Sequence, residues 1–142
     1  MADTTINKSI FVAAPRETVW AYLTEKEKLA EWFHPAPSDL SEGEDYALVK
    51  ILDDGATDKL CWGTVLKMDP PSHMVWSFTV KPLNGAMTTV TWQLEEVNGG
   101  TKLTLVHEGI EAAAGESAWG MLSALDAGWD EHFARLRTSA AQ

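Results

Sequence analysis

SAWGMLSALDAGWDEHFARL, residues 117–136, carries the longest helical pattern in the chain. Wound at about 100° per residue, Ala118, Leu122, Leu125, Trp129, Phe133 and Leu136 fall on one stripe, with Ser123, Ala127, Asp130, Glu131, Ala134 and Arg135 on the other side. Ser117 stands where an N-cap belongs. Gly120 and Gly128 each cost roughly 1 kcal/mol relative to alanine inside a helix. Such a cost invites a reason: close approach of a strand or loop is the simpler one, room for a ligand or a local bend the other. An apolar face of this length needs a receiving surface, and the sequence upstream reads as strands.

The strands follow one another with few breaks. Residues 4–13 alternate, with Ile6, Ile10 and Val12 on one face and Lys8 as the dissenting polar member. Lys8 is expected to snorkel at the strand end, the alternative being that it projects into a wet pocket. Pro15 then opens a helix that buries Val19, Trp20 and Leu23. Thr24 with Glu27 reads as a capping box launching a second short helix through Leu29 and Trp32, which His34-Pro35-Ala36-Pro37 ends. From Glu44 onward the texture is strand and turn. Residues 46–52 form one candidate strand. Residues 59–68 form another, with Leu60, Trp62, Thr64, Leu66 and Met68 on its inner face and Cys61 turned away from the core. Residues 74–80 follow, with Trp76 and Phe78 of like parity. Asn84-Gly85 and Asn98-Gly99-Gly100 are hairpin signals, because both central residues of a type I′ turn need positive φ. The two strands that these turns introduce carry Val90, Trp92 and Leu94, then Leu103, Leu105 and His107, on their inner faces. Residues 108–116 read as a linking loop. The implied architecture is a single α+β domain over residues 1–142. A curved antiparallel sheet wraps the long C-terminal helix, and two short helices lie between the first and second strands.

Composition narrows the function classes. The chain has 142 residues, 45% hydrophobic and 23% charged, with a formal net charge of −10. Neither a nucleic-acid backbone nor an anionic membrane suits a surface so acidic. One cysteine, Cys61, excludes an intrachain disulfide and a four-thiolate metal site. The N-terminus lacks a secretory apolar core and no run reaches the ~20 apolar residues of a membrane span, so a cytoplasmic location is expected. Seven tryptophans are the compositional oddity. They fill thick cores and line apolar pockets, and each brings one N–H that needs an acceptor.

The opening IFVAAPRETVWAYLTEKEKLAEWF, with Ala14, Pro15, Glu17, Val19, Trp20 and Trp32, resembles the START-like, Bet v-type helix-grip superfamily. Its activator of heat-shock-protein ATPase homologue branch is the nearest in pattern. Gly63, Pro70, Pro71 and Trp76 in GTVLKMDPPSHMVWSF match that branch's strand, Asp-Pro turn and strand. His107, Glu108 and Gly109 match a further strand end, and Gly128-Trp129 with Leu136 match the closing helix. The resemblance implies a cavity between helix and sheet, used in the superfamily by lipid and hormone binders, polyketide cyclases and aromatases, and chaperone co-activators. Eukaryotic co-chaperones of the branch carry an additional N-terminal domain ahead of the grip domain, whereas this sequence opens on the grip pattern. Their activity is therefore not expected to transfer with the fold.

No chemistry-bearing motif competes with a binding role. His34, His73, His107 and His132 show no metal-ligand spacing, and there is no Gly-x-Ser-x-Gly elbow, paired carboxylate or phosphate loop. No metal or cofactor is expected, and no catalytic residue is assigned. The expectation is an apolar pocket for a small hydrophobic or amphipathic ligand, lined by Trp62, Trp76, Phe78, Trp92, Leu105, His107, Met121, Leu125 and Trp129, with His107 orienting the ligand. A cyclase- or dehydratase-like enzyme in the same pocket and a chaperone-associated module are the alternatives. A homodimer is left open.

Overall fold

The computed structural model describes residues 5–141, so Thr4, at the head of the expected first strand, lies outside the described residues. Six strands form one curved antiparallel sheet: β1 (Ile6–Val12), β2 (Asp45–Ile51), β3 (Thr57–Asp69), β4 (His73–Val80), β5 (Thr88–Val97) and β6 (Gly100–Glu108). Their spatial order is β1-β6-β5-β4-β3-β2. Strands two to six are thus a plain meander. The link from β1 to β2 must travel from one sheet edge to the other, and α1 (Arg16–Thr24) and α2 (Lys26–Trp32) carry it. A short α3 (Ile110–Ala114) precedes the long α4 (Ala118–Ala140), which lies across the inner face. This is the α+β helix-grip architecture expected from the sequence.

Turn chemistry fixes the hairpins. Asn98 and Gly99 both take positive φ, 51° and 84°, and close β5 onto β6 at the Val97–Gly100 pair. Asn84 and Gly85 are also left-handed, but a 3₁₀ turn over Lys81–Leu83 precedes them, so the β4–β5 connection is longer than a two-residue hairpin.

β3 departs from the expected alternation, and the reason is two β-bulges. Leu48 pairs with Cys61 but Val49 with Lys59, leaving Leu60 as an extra residue; Val65 pairs with Trp76 but Lys67 with Val75, leaving Leu66 extra. Each extra residue inverts the facing of the strand beyond it. Between the bulges Cys61, Gly63 and Val65 are therefore buried, not Trp62 and Thr64. Cys61 belongs to the core after all. Leu66 is exposed, and Met68 turns inward beyond the second bulge, opposite Met74. Gly63 is required here: a Cβ at this position would sit 2.0 Å from the Ser77 carbonyl oxygen. That same oxygen accepts the Tyr46 hydroxyl at 2.7 Å, and Ser77 Oγ accepts the Thr64 N–H at 2.8 Å.

The helices correct four further expectations. Thr24 does not cap α2. It is still the last helical residue of α1, so its hydroxyl donates back to the Trp20 carbonyl, and Asp39 takes the Lys26 N–H instead. Residues 108–116 hold α3 and the start of a 3₁₀ turn rather than a loop, with Ile110 fully buried as the anchor. Ser117 lies in that turn and makes no side-chain cap. Finally, no strand or loop approaches Gly120 or Gly128: a Cβ added at either meets nothing within 4 Å.

The two ends of α4 bury differently. Trp129, Phe133, Leu136 and Ala140 are buried, whereas Met121, Leu122 and Leu125 are half-buried and Trp119 is 78% exposed. The buried half rests on an aromatic layer in which Trp92 meets Trp32, Trp76, Trp129 and Phe133 at ring distances of 6.2, 5.2, 5.7 and 6.0 Å. Lys8 reaches from β1 to Asp126 and Asp130 of α4, at 2.9 and 2.8 Å. Burial disfavours its charged ammonium form, but the hydrogen bonds and charges of the two aspartates outweigh this and leave the pKa raised.

Candidate functional site

Where the first half of α4 stands off the sheet, a cavity of about 270 Å³ opens. β3 and β4 supply one wall through Leu60, Cys61, Phe78 and Val80. α4 supplies the other through Ala124, Leu125, Gly128, Trp129 and His132, and Phe33 with His34, just past α2, close the end. The surface is mainly apolar, and its polar groups are two imidazoles and a thiol.

Trp129 forms the deep end, and a chain of hydrogen bonds holds it. Its indole N–H donates to His107 Nδ1 at 3.1 Å, and His107 Nε2 lies 2.7 Å from Thr88 Oγ1, which donates to the Phe78 carbonyl at 2.6 Å. An indole nitrogen can only donate. Nδ1 is therefore the acceptor, the proton sits on Nε2, and every group in the chain is satisfied. Burial drives the His107 pKa down to about 4, so the ring is neutral at pH 7. Trp32 is similarly served, its indole donating to the Tyr22 carbonyl at 2.7 Å. The buried indole nitrogens of Trp76 and Trp92 have no protein acceptor.

His132 obeys a second constraint. Arg135 Nη2 donates to its Nδ1 at 2.6 Å. Trp32 O also lies 3.3 Å from Nδ1, but two acceptors cannot bond, and that carbonyl takes the Arg135 Nε–H at 3.2 Å instead. The proton of neutral His132 is thus on Nε2. Burial, then the charges of His34 and Arg135, lower its pKa to about 4. His34, whose ring centre lies 5.2 Å from that of His132, is lowered by burial and Arg135. Cys61 is pushed up to about 12 by burial, so its thiol is no nucleophile at neutral pH. Among the described residues, no three His, Cys, Asp or Glu side chains converge to hold a metal ion.

Of the residues expected to line a pocket, Phe78, Leu125 and Trp129 border this cavity. Trp76, Trp92 and Leu105 are fully buried in the core and do not border it. Trp62 is on the opposite side of β3 from Cys61, facing Thr79 and Ala47, because the bulge at Leu60 reverses the strand. Met121 lies half-buried one turn beyond the lining. His107 is fully buried and committed to Trp129 and Thr88, so it positions a cavity wall rather than presenting a free polar group. The expected lining lacks Phe33, His34, Leu60, Cys61, Val80, Ala124, Gly128 and His132, although the sequence offers Gly128 as room for a ligand. A signal for part of the helix wall existed: Leu125, Gly128, Trp129 and His132 recur at i, i+3, i+4 and i+7, with a glycine as the gap in that face.

A long helix gripped by a curved antiparallel sheet, with an apolar cavity beneath its middle turns, defines a helix-grip domain. The chain belongs to the Activator of Hsp90 ATPase homolog 1-like family, whose profile matches residues 13–141. Solved structures agree. CalU16 from Micromonospora echinospora is 25% identical, with 94% of this chain and 71% of that one covered and a TM-score of 0.73. A Rhodobacter sphaeroides protein is 26% identical over 99% of this chain and 93% of its own, with a TM-score of 0.76. Protein CV1439 of Chromobacterium violaceum, 20% identical over 97% and 98%, has a TM-score of 0.78 and shares the fold. Comparison with curated protein sequences returned no match. No helix among the described residues is long and apolar enough to cross a membrane.

Proposed function

We propose that this protein binds a small hydrophobic or amphipathic molecule in the cavity between α4 and the β3–β4 wall, within the cytoplasm. The observation that carries the reading is Gly128. It borders the cavity, nothing lies within 4 Å of where its Cβ would be, and the helix gives up roughly 1 kcal/mol to keep it. A helix that needed only to pack would gain from alanine there. Aromatic and aliphatic walls with few polar groups suit a ligand of one or two rings. The high pKa of Cys61 and the fully bonded His107 speak for binding without covalent or acid–base chemistry.

The test is a filled cavity. Gly128→Leu is expected to fold, with a melting temperature equal to or above that of the native chain, and to lose binding of 2-ethylnaphthalene measured by equilibrium dialysis. Native mass spectrometry of the protein from its own host is expected to show an extra mass that Gly128→Leu lacks. Equal binding by both proteins would place the ligand elsewhere.

A second reading, chaperone contact, takes its support from the family's name and from Trp119, which is 78% exposed at the start of α4. On this reading Trp119→Ser weakens capture of a purified Hsp90-type chaperone and leaves the cavity unaltered; equal capture by both proteins refutes it.

A further inference from the structure

The cavity has one polar corner, and its hydrogen-bonding sense is set by residues outside it. His132 Nδ1 is occupied by Arg135, and neither Arg135 nor Trp32 borders the cavity. The guanidinium has no acceptor lone pair, so it forces the imidazole to carry its proton on Nε2. This Nε2–H has no partner among the described residues. His34 lies beside it, edge-on to His132 and tilted against Phe33 at ring distances of 5.2 and 4.9 Å, and makes no hydrogen bond among the described residues. The corner thus offers one committed donor and one imidazole that can either donate or accept. Its remaining surroundings are rings: Phe33 lies 4.5 Å and Trp129 6.2 Å from the His132 ring centre. No cationic side chain borders the cavity.

We propose that the ligand is an uncharged, planar ring compound bearing an acceptor oxygen, a ketone, quinone or ester carbonyl, which takes the Nε2–H of His132. The proposal rests on the cavity being the binding site and specifies what that site selects. A ligand that fills the cavity displaces water from the half-buried His132, and a donor so covered costs free energy unless it finds an acceptor; a hydrocarbon of the same shape leaves it unpaired where a carbonyl satisfies it. A carboxylate would meet no cation bordering the cavity, Arg135 standing behind the His132 ring. Flat aromatic walls favour a flat partner, since offset stacking adds to the area buried. Arg135 acts here as a positioning residue: it fixes the tautomer and touches no ligand.

Three probes of one ring size separate these claims: 2-acetylnaphthalene, 2-ethylnaphthalene and 2-naphthoate, titrated into the native chain at pH 7 by calorimetry. The ketone is expected to bind roughly three- to tenfold tighter than the hydrocarbon, the value of one hydrogen bond. The carboxylate is expected to bind weakest. His132→Phe keeps a ring of similar size and is expected to bring the ketone down to the hydrocarbon's affinity while leaving the hydrocarbon unchanged. His132→Gln, which retains an N–H donor, is expected to restore part of the preference. Equal affinity of ketone and hydrocarbon in the native chain overturns the proposal without any variant. So does tightest binding by 2-naphthoate, or a ketone preference that survives His132→Phe. If no probe binds, the cavity reading itself falls, which is a different result from binding without preference.

Discussion

His107 makes a stability prediction that can be worked through. The unfolded chain titrates this imidazole near 6.5, whereas burial holds it at about 4 in the folded protein. Between those values the unfolded state binds a proton that the folded state refuses, so stability rises with pH across the window. The contribution is complete above pH 6.5, is lost progressively as pH falls from 6.5 to 4, and is level below that. The full amplitude is about 3 kcal/mol. His34 and His132 are lowered in the same direction and add to the slope, so the informative quantity is a difference between proteins. His107→Gln supplies an acceptor for Trp129 and a donor for Thr88 without titrating. Urea unfolding of both proteins from pH 4 to 7.5 is expected to show a pH dependence about 3 kcal/mol smaller in His107→Gln. His107→Leu is a separate control. It leaves the Trp129 indole N–H, which is buried, without an acceptor, and is expected to cost about 1–3 kcal/mol more than His107→Gln at pH 7. Identical pH profiles for the native chain and His107→Gln would refute the buried neutral imidazole. Equal stability of the Leu and Gln variants would refute the hydrogen-bond chain.

Two further substitutions probe β3. Gly63→Ala drives a methyl into the Ser77 carbonyl, which is backbone and also holds Tyr46; a loss of about 3 kcal/mol or more is expected in chemical denaturation, with a reduced yield of folded protein. Leu66→Ser is expected to stay within about 0.5 kcal/mol of the native chain, while Val65→Ala costs about 2 kcal/mol, because the bulge leaves Leu66 outside and Val65 fully buried. The simple alternation Leu60–Met68 requires the reverse ranking, so thermal melts of the pair decide between them.

What the sequence allowed a reader to see depended on periodicity. The α4 stripe, the Asn-Gly turns and the paired strands repeat often enough to place helix over sheet, and one residue out of phase changes little. β3 shows the limit. A bulge residue has no chemical signature when it is a leucine flanked by other strand formers, so Leu60 and Leu66 look like members of an apolar face. Reading through them put Trp62 in the pocket and Cys61 outside. The polar corner was hidden for another reason. His34 and His132 are 98 positions apart, and their meeting depends on where the turn after α2 docks on the helix. The state of His132 depends further on Arg135, one turn along. His107 was correctly faced inward by parity, but whether its nitrogens were free could be learned only from its neighbours Trp129 and Thr88.

The hydrogen-bond chain through Trp129 also gives the long helix a mechanical asymmetry. C-terminal to Trp129 the helix is clamped by Phe133, Leu136 and Ala140 in the core, and beside it Lys8 ties Asp126 and Asp130 to β1. N-terminal to Asp126 the hold is lighter: Met121, Leu122 and Leu125 are only half-buried against the core, and the short α3 packs beside the helix. A molecule in the cavity sits under Ala124 to His132, across the junction between these two parts and not beneath the tip. Amide hydrogens of residues 119–125 should therefore exchange with solvent well before those of 130–138, and a bound molecule should slow exchange around residues 124–132.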